Sequence, residues 1–360
     1  MPGIGEELAG LTLELCSIPS ETGNEKEIAD RLEARCHELA PDARTVRIGN
    51  SVVCIPDWSS AGATGPTIAL VGHLDTVKCA IDQPLEIRDG KVFGCGSTDM
   101  KAGVATMIAL LARWRELRGA RPVWIFYDGE EGPAKANGLE PVLASGELPA
   151  LDLAMVLEPT DQSLMMGCMG LLHAVVTVRG RRAHSARPWQ GDNALYRAIP
   201  LLSRLRDWPR REVRFGELTY YEVIVATQAW TENSKNVVPD RVMINVNFRF
   251  APGNTAEGAE RELRELVGED GEVELIDRAA AGKVFLDHPL IEPWRAREGI
   301  GIQCKQAWTD VARFTERGIP AVNFGPGETA QAHQAGEWCS IASLEFAYEK
   351  LWKMLTAGPA

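Results

Sequence analysis

Three short apolar runs in this chain stop abruptly in polar residues: Val71-Gly72-His73-Leu74-Asp75, Tyr127-Asp128-Gly129-Glu130-Glu131 and Leu157-Glu158-Pro159-Thr160. The segments Ser51 to Ile55, Thr67 to Val71, Val123 to Tyr127 and Ala154 to Leu157 read as strands, and Val104, Met107, Ile108 and Leu111 recur at helical spacing between the second and third. Strands alternating with helices predict an α/β sheet with parallel pairs. The carboxyl edge of such a sheet is where open α/β folds collect functional groups. Nearer the amino terminus, Asn24 and Glu27 have the form of a capping box ahead of an amphipathic helix with Ile28, Leu32, Cys36 and Leu39 on one stripe.

From about residue 170 the texture changes. Strand-like runs (Leu172 to Val178, Tyr220 to Thr227, Val242 to Phe250, Glu272 to Ile276) are interleaved with a helix bearing Leu195, Ile199, Leu202 and Leu205 and another around Glu257 to Leu266. After about residue 284 the earlier pattern returns, ending in Gly325-Pro326-Gly327, His333 and a helix from Ile341 to Leu355. The predicted organisation is a discontinuous α/β domain, residues 1–170 and 284–360, with residues 171–283 inserted as a smaller α+β domain. A chain of 360 residues is long for one core and comfortable for two. No fixed-period repeat is present, which sets aside solenoids and propellers.

The formal net charge is -12 with no dense Lys/Arg block, so a nucleic-acid or anionic-membrane surface is not expected. No apolar stretch approaches the ~20 residues that span a bilayer. Met1 to Leu8 has no basic segment before an apolar core, so no leader is expected and the cytosol is the default compartment. The eight cysteines form no Cys-x-x-Cys pair, and free thiols are expected.

Taken singly, the polar residues at the strand ends are ambiguous. His73 and Asp75, two apart, point to one side if the strand geometry persists, and the Asp can accept the second imidazole N–H of a metal-bound His. Asp99, in the turn Gly94-Cys95-Gly96-Ser97-Thr98-Asp99-Met100-Lys101-Ala102-Gly103, reads as a helix N-cap or as a bridging ligand. Glu130-Glu131 says more, because adjacent carboxylates after an apolar strand repel each other and a dication relieves that repulsion; one would bind metal while its neighbour holds a water. With Glu158 and His333, these residues make a nitrogen and oxygen donor set suited to zinc and to a two-metal hydrolase.

The ordered set Gly72-His73-Leu74-Asp75-Thr76, Ser97-Thr98-Asp99-Met100-Lys101, Asp128-Gly129-Glu130-Glu131, Glu158-Pro159-Thr160 and Ala332-His333 resembles the zinc aminoacylase, carboxypeptidase and desuccinylase family over essentially the whole chain. Arg181 to Arg187, Gly191 to Ala194, Asn236 to Asp240, Trp308 to Phe314 and Val322 to Gly327 are similar to its actinobacterial succinyl-diaminopimelate desuccinylase branch.

The resemblance implies a mixed-sheet zinc-hydrolase domain with helices on both faces and an inserted ferredoxin-like lid and dimerisation domain. It assigns His73 and Glu158 to one zinc, Glu131 and His333 to the other, and Asp99 to both, with Asp75 behind His73 and the Asp99–Met100 peptide cis. Cobalt and manganese suit the same ligands. Glu130 matches the general base, which takes a proton from the attacking water and returns it to the leaving amine. His184 matches a histidine of the smaller domain that hydrogen-bonds the oxyanion, often from the partner of a homodimer; by itself it reads as a loop histidine.

The implied reaction is hydrolysis of N-succinyl-L,L-2,6-diaminopimelate to succinate and L,L-diaminopimelate. Arg187, Arg249 and Arg313 are candidate partners of substrate carboxylates. Asn236 and Gly325 fall where related enzymes contact substrate, and Asp310 suits an ammonium group or a helix cap. Gly132 to Asn137 and Asn233 to Lys235 depart from the desuccinylase pattern, so a deacylase or carboxypeptidase acting on another N-acyl amino acid stays open. A metal-free binding protein on this fold is the remaining alternative, and zinc content separates it.

Overall fold

The computed structural model describes residues 3–357; Met1 and Pro2, at the start of the segment read for a leader, lie outside them. The chain divides into two compact units. One runs to Gly167 and takes in Phe285–Gln303 and the stretch from Arg313 onward; the other comprises Cys168–Val284 and Cys304–Ala312.

The first unit is built on a mixed eight-stranded sheet in the order Arg44–Ile48, Ser51–Ile55, Arg121–Tyr127, Thr67–His73, Leu153–Pro159, Ala321–Gly325, Leu164–Met166 and Ile302–Cys304. Thr67–His73 runs parallel to both of its neighbours, and Ala321–Gly325 runs parallel to Leu153–Pro159. Parallel central strands are covered on both faces, which is why they read as continuous apolar runs. Every residue of Thr67–His73 and of Leu153–Pro159 is buried. Both strands extend past their predicted ends, so His73 and Glu158 are the last or next-to-last residues of strands rather than the first residues of loops.

The helix Ala102–Leu111 is buried on all sides, packing on the central strands and on the helices Ile4–Cys16 and Ile341–Ala357. Trp124 on the sheet donates its indole N–H to the carbonyl of Met107 at 2.9 Å, satisfying a polar group that burial would otherwise strand. A smaller antiparallel sheet of Trp338–Ser340, Lys91–Phe93 and Glu86–Arg88 ties the carboxyl-terminal loop to the segment that precedes Asp99.

The second unit is a five-stranded antiparallel sheet in the order Arg211–Phe215, Leu218–Trp230, Arg241–Phe250, Gly170–Arg179 and Glu272–Ala279. Burial alternates strictly along Gly170–Arg179, as a sheet with one covered face requires. Leu172, Ala174, Val176 and Val178 pack with Leu201, Leu205, Leu263 and Val267 of the helices Ile199–Asp207 and Ala256–Val267. Each fully buried Val or Leu side chain among them contributes about 1.5–3 kcal/mol.

Two local expectations need correction. The Asn24–Glu27 capping box does not form: the helix starts at Lys26 with Glu25 at its N-cap, and the Glu25 carboxylate accepts the Gly23 N–H at 2.7 Å. The cysteines are not all free, since Cys79 and Cys95 form a disulfide across a Cα–Cα distance of 5.7 Å. Their separation of 16 residues left no motif, and only the fold brings the loop after Asp75 beside the turn before Asp99.

Candidate metal centre

Five sequence-predicted donors converge on the first unit, each placed by a separate element. His73 ends its strand fully buried, with Nε2 3.1 Å from Asp99 Oδ1 and 4.0 Å from Glu158 Oε1. His333 lies on the loop after the short turn Thr329–Gln331, with Nε2 2.7 Å from Glu131 Oε1 and 3.4 Å from Asp99 Oδ2. Asp99 thus turns one carboxylate oxygen to each imidazole, and its peptide bond to Met100 is cis. Donor atoms of His73, Asp99 and Glu131 lie within 4.8 Å of one another, a spacing that suits metal ligands.

Asp75 lies behind His73. His73 Nδ1 lies 2.9 Å from the Asp75 carbonyl oxygen and 3.6 Å from the carboxylate, so the main chain orients the ring. The buried carboxylate also accepts the backbone N–H groups of Glu130 at 2.9 Å and Glu131 at 3.0 Å and the Thr22 hydroxyl at 2.9 Å. Burial alone would raise the Asp75 pKa; His73 and the two N–H groups outweigh it and hold the carboxyl below its ordinary range.

The electrostatics favour a cation. Burial works against the His73 imidazolium, yet Asp75 and Asp99 raise its pKa well above the usual value. Asp99 and Glu131 push His333 up to about 10. Two imidazole nitrogens facing several carboxylates, with one carboxylate shared, form a donor set that fits a pair of divalent cations.

Glu337, which carried no recognisable signal, is part of this surround. Only 4% exposed, it accepts N–H groups from Gly96, Thr98 and Asp99 at 2.8, 2.7 and 3.0 Å. Burial drives its carboxyl up to about 7, against the pull of those N–H groups. A lone acid between Gly336 and a three-residue strand has no periodicity that would single it out. Thr22 was missed for the same reason.

The remaining candidates fall as follows. Gly325 closes the strand Ala321–Gly325 where a Cβ would stand 2.2 Å from the Leu157 carbonyl oxygen, so close strand approach beside Glu158 accounts for the glycine. Arg313 donates to Glu140 and to the Ala134 carbonyl, both at 3.1 Å, bracing the segment after Glu131. On the second unit, Ala183–His184 pairs with Val237–Val238, and Ser185 N–H donates to the Asn236 carbonyl at 2.9 Å. His184 Nδ1 accepts the Ala186 N–H at 3.0 Å, which leaves the ring proton of the neutral imidazole on Nε2. Arg187 and Asn236 are exposed and Asp310 is buried. Arg249 is half-buried, and burial lowers its pKa.

The sequence profile described as Peptidase family M20/M25/M40 matches residues 69–357. A succinyl-diaminopimelate desuccinylase of Corynebacterium glutamicum is 36% identical over 347 residues, covering 93% of this chain and 92% of that protein. A Mycobacterium tuberculosis relative is 35% identical over 349 residues, covering 96% and 97%. Among solved structures, a tripeptidase from Staphylococcus aureus superposes with a TM-score of 0.78 at 19% identity, covering 99% of this chain and 98% of that one, a likeness of fold.

Proposed function

The chain belongs to peptidase family M20/M25/M40, and on that premise we propose that it hydrolyses the amide of N-succinyl-L,L-2,6-diaminopimelate to succinate and L,L-diaminopimelate. The enzyme is a metallohydrolase acting on an amide bond. The metals we assign are two zinc ions, for which cobalt or manganese can substitute. The observation that carries the reading is the shared Asp99 carboxylate, with one imidazole at each oxygen and a second carboxylate, Glu130, next to Glu131 in sequence. The substrate assignment rests on the Corynebacterium glutamicum relative.

In this reading His73 and Glu158 would hold one zinc, His333 and Glu131 the other, and Asp99 would serve both. Bound there, the ions supply a Lewis acid for the carbonyl oxygen and lower the pKa of the attacking water. Glu130 takes the proton from that water and returns it to the leaving nitrogen as the amide C–N bond breaks. Asp75 fixes where Glu130 stands by holding its backbone N–H. His184 serves as oxyanion donor through the Nε2–H that its Nδ1 bond leaves available.

Recognition falls to Arg249 first, since among the described residues no carboxylate pairs with it and the substrate carries several. Arg187, Asn236 and Asp310 are further contacts, while Arg313 and Gly325 act through packing around the site.

A homodimer through the second unit is part of the proposal. That unit exposes Trp189, Leu195, Tyr196 and Ile199. The strand Leu218–Trp230 is paired to Arg211–Phe215 only from Leu218 to Glu222, which among the described residues leaves the edge beyond it open. Among the described residues no helix is long and apolar enough to cross a membrane; a cytoplasmic location stays part of the proposal.

The test is release of succinate from N-succinyl-L,L-diaminopimelate, run beside other N-acyl amino acids. Preference for the succinyl compound supports the assignment; turnover of another compound alone discards the substrate and keeps the chemistry.

A further inference from the structure

The segment that carries His333 also carries the clamp that holds Asp99. Glu337, four residues on, engages both carboxylate oxygens: Oε1 accepts the N–H groups of Thr98 at 2.7 Å and Asp99 at 3.0 Å, and Oε2 that of Gly96 at 2.8 Å. Its backbone carbonyl accepts Gly94 N–H at 3.2 Å and the Gln83 side-chain amide at 3.1 Å. Thr98 Oγ1 closes the arrangement by donating to the Trp338 carbonyl at 2.9 Å.

The turn is shaped for this occupant. Gly96 has φ +74, so the N–H groups around it point into a common concavity, the backbone arrangement that binds anions. Hydrogen bonds from N–H to a carboxylate are about twice as strong as neutral ones when it is ionised, and Glu337 is only 4% exposed. The bonds fix the main chain of Asp99 itself, whose two carboxylate oxygens must serve His73 on one side and His333 on the other.

We propose that Glu337 is a positioning residue of the metal centre: it locks the Gly94–Asp99 turn to the His333 segment so that Asp99 can bridge. It touches neither metal nor substrate. The proposal rests on reading these donors as a two-metal centre.

The full-length Glu337→Gln variant tests it. Glutamine keeps the size but turns an NH2 toward one of the backbone N–H groups, so at least one bond is lost and replaced by a donor–donor contact. Stepwise cobalt binding is read by titration calorimetry and by the visible absorption of the bound ions, with Tm and steady-state kinetics alongside. We expect the first equivalent to bind as in the wild type, the second to weaken about 10–100-fold with an altered spectrum, and kcat to fall while KM changes little. Two equivalents bound with wild-type affinity and spectrum would overturn the proposal.

Should the variant fail to fold, amide exchange in the metal-free wild type decides: Gly96, Thr98 and Asp99 are to be protected, and rapid exchange there sinks the clamp. A wild-type protein that takes up no metal would instead remove the two-metal reading, while the exchange experiment still reports on the clamp.

Discussion

Asp75 Oδ1 accepts the backbone N–H of Glu130 at 2.9 Å, and its Oδ2 accepts that of Glu131 at 3.0 Å. One buried carboxylate therefore orients the proposed base and a proposed metal ligand together, while its own carbonyl orients His73. Replacing Asp75 by Asn puts an amide NH2 against one of those N–H groups. We expect kcat to fall about 10–100-fold, with a smaller loss of bound metal. The check is kcat at saturating metal together with metal content; a variant with wild-type kcat contradicts this role.

Metal uptake should release protons. In the metal-free protein the His333 pKa is up to about 10 and that of His73 is also raised, so both rings hold protons at neutral pH that a cation must displace. Affinity therefore weakens as pH falls. A raised folded-state pKa stabilises the metal-free fold fully below the ordinary histidine value of about 6.5 and loses that contribution as pH rises through about 10. Calorimetry in buffers of different ionisation enthalpy measures the released protons, and Tm of the chelator-treated protein between these pH values measures the loss. PH-independent affinity with a flat Tm would contradict both.

Arg249 is expected to act on substrate affinity. Arg249→Ala removes a charge-assisted contact worth about 1.5–3 kcal/mol, so KM should rise about 10–100-fold with kcat changed far less. Arg249→Lys should restore it only in part, because a point charge lacks the planar fork. An unchanged KM removes Arg249 from recognition.

Gly325→Ala places a methyl group 2.2 Å from the Leu157 carbonyl oxygen. Overpacking of this kind costs about 1–3 kcal/mol, and here it displaces the strand Leu153–Pro159 that carries Glu158. A lowered Tm accompanied by weaker metal binding is the expected pair of results; a wild-type Tm would show that the strands separate easily.

The sheet was legible because parallel central strands are apolar throughout, and their polar ends mark the carboxyl edge. That pattern located His73, Glu130, Glu131 and Glu158. It misplaced the strand ends, since His73 and Glu158 are held inside strands by pairing that no local preference encodes. Glu337 and Thr22 stayed hidden because their contacts are long-range: Glu337 meets Asp99 across 238 residues and Thr22 meets Asp75 across 53. Cys79 and Cys95 are likewise joined by the fold alone. The Asn24–Glu27 box shows the converse, a local signal that does not form, since the helix starts at Lys26 with Glu25 at its N-cap.

The most direct test of the account is Glu130→Gln, assayed for bound metal and for hydrolysis of N-succinyl-L,L-diaminopimelate beside the wild type. Glu130 is given the proton transfers and no place among the metal ligands, so the variant should bind two equivalents like the wild type and lose about 10²–10⁴-fold in kcat. A variant that turns over the substrate at the wild-type rate, or that loses its metal along with its activity, would contradict that assignment.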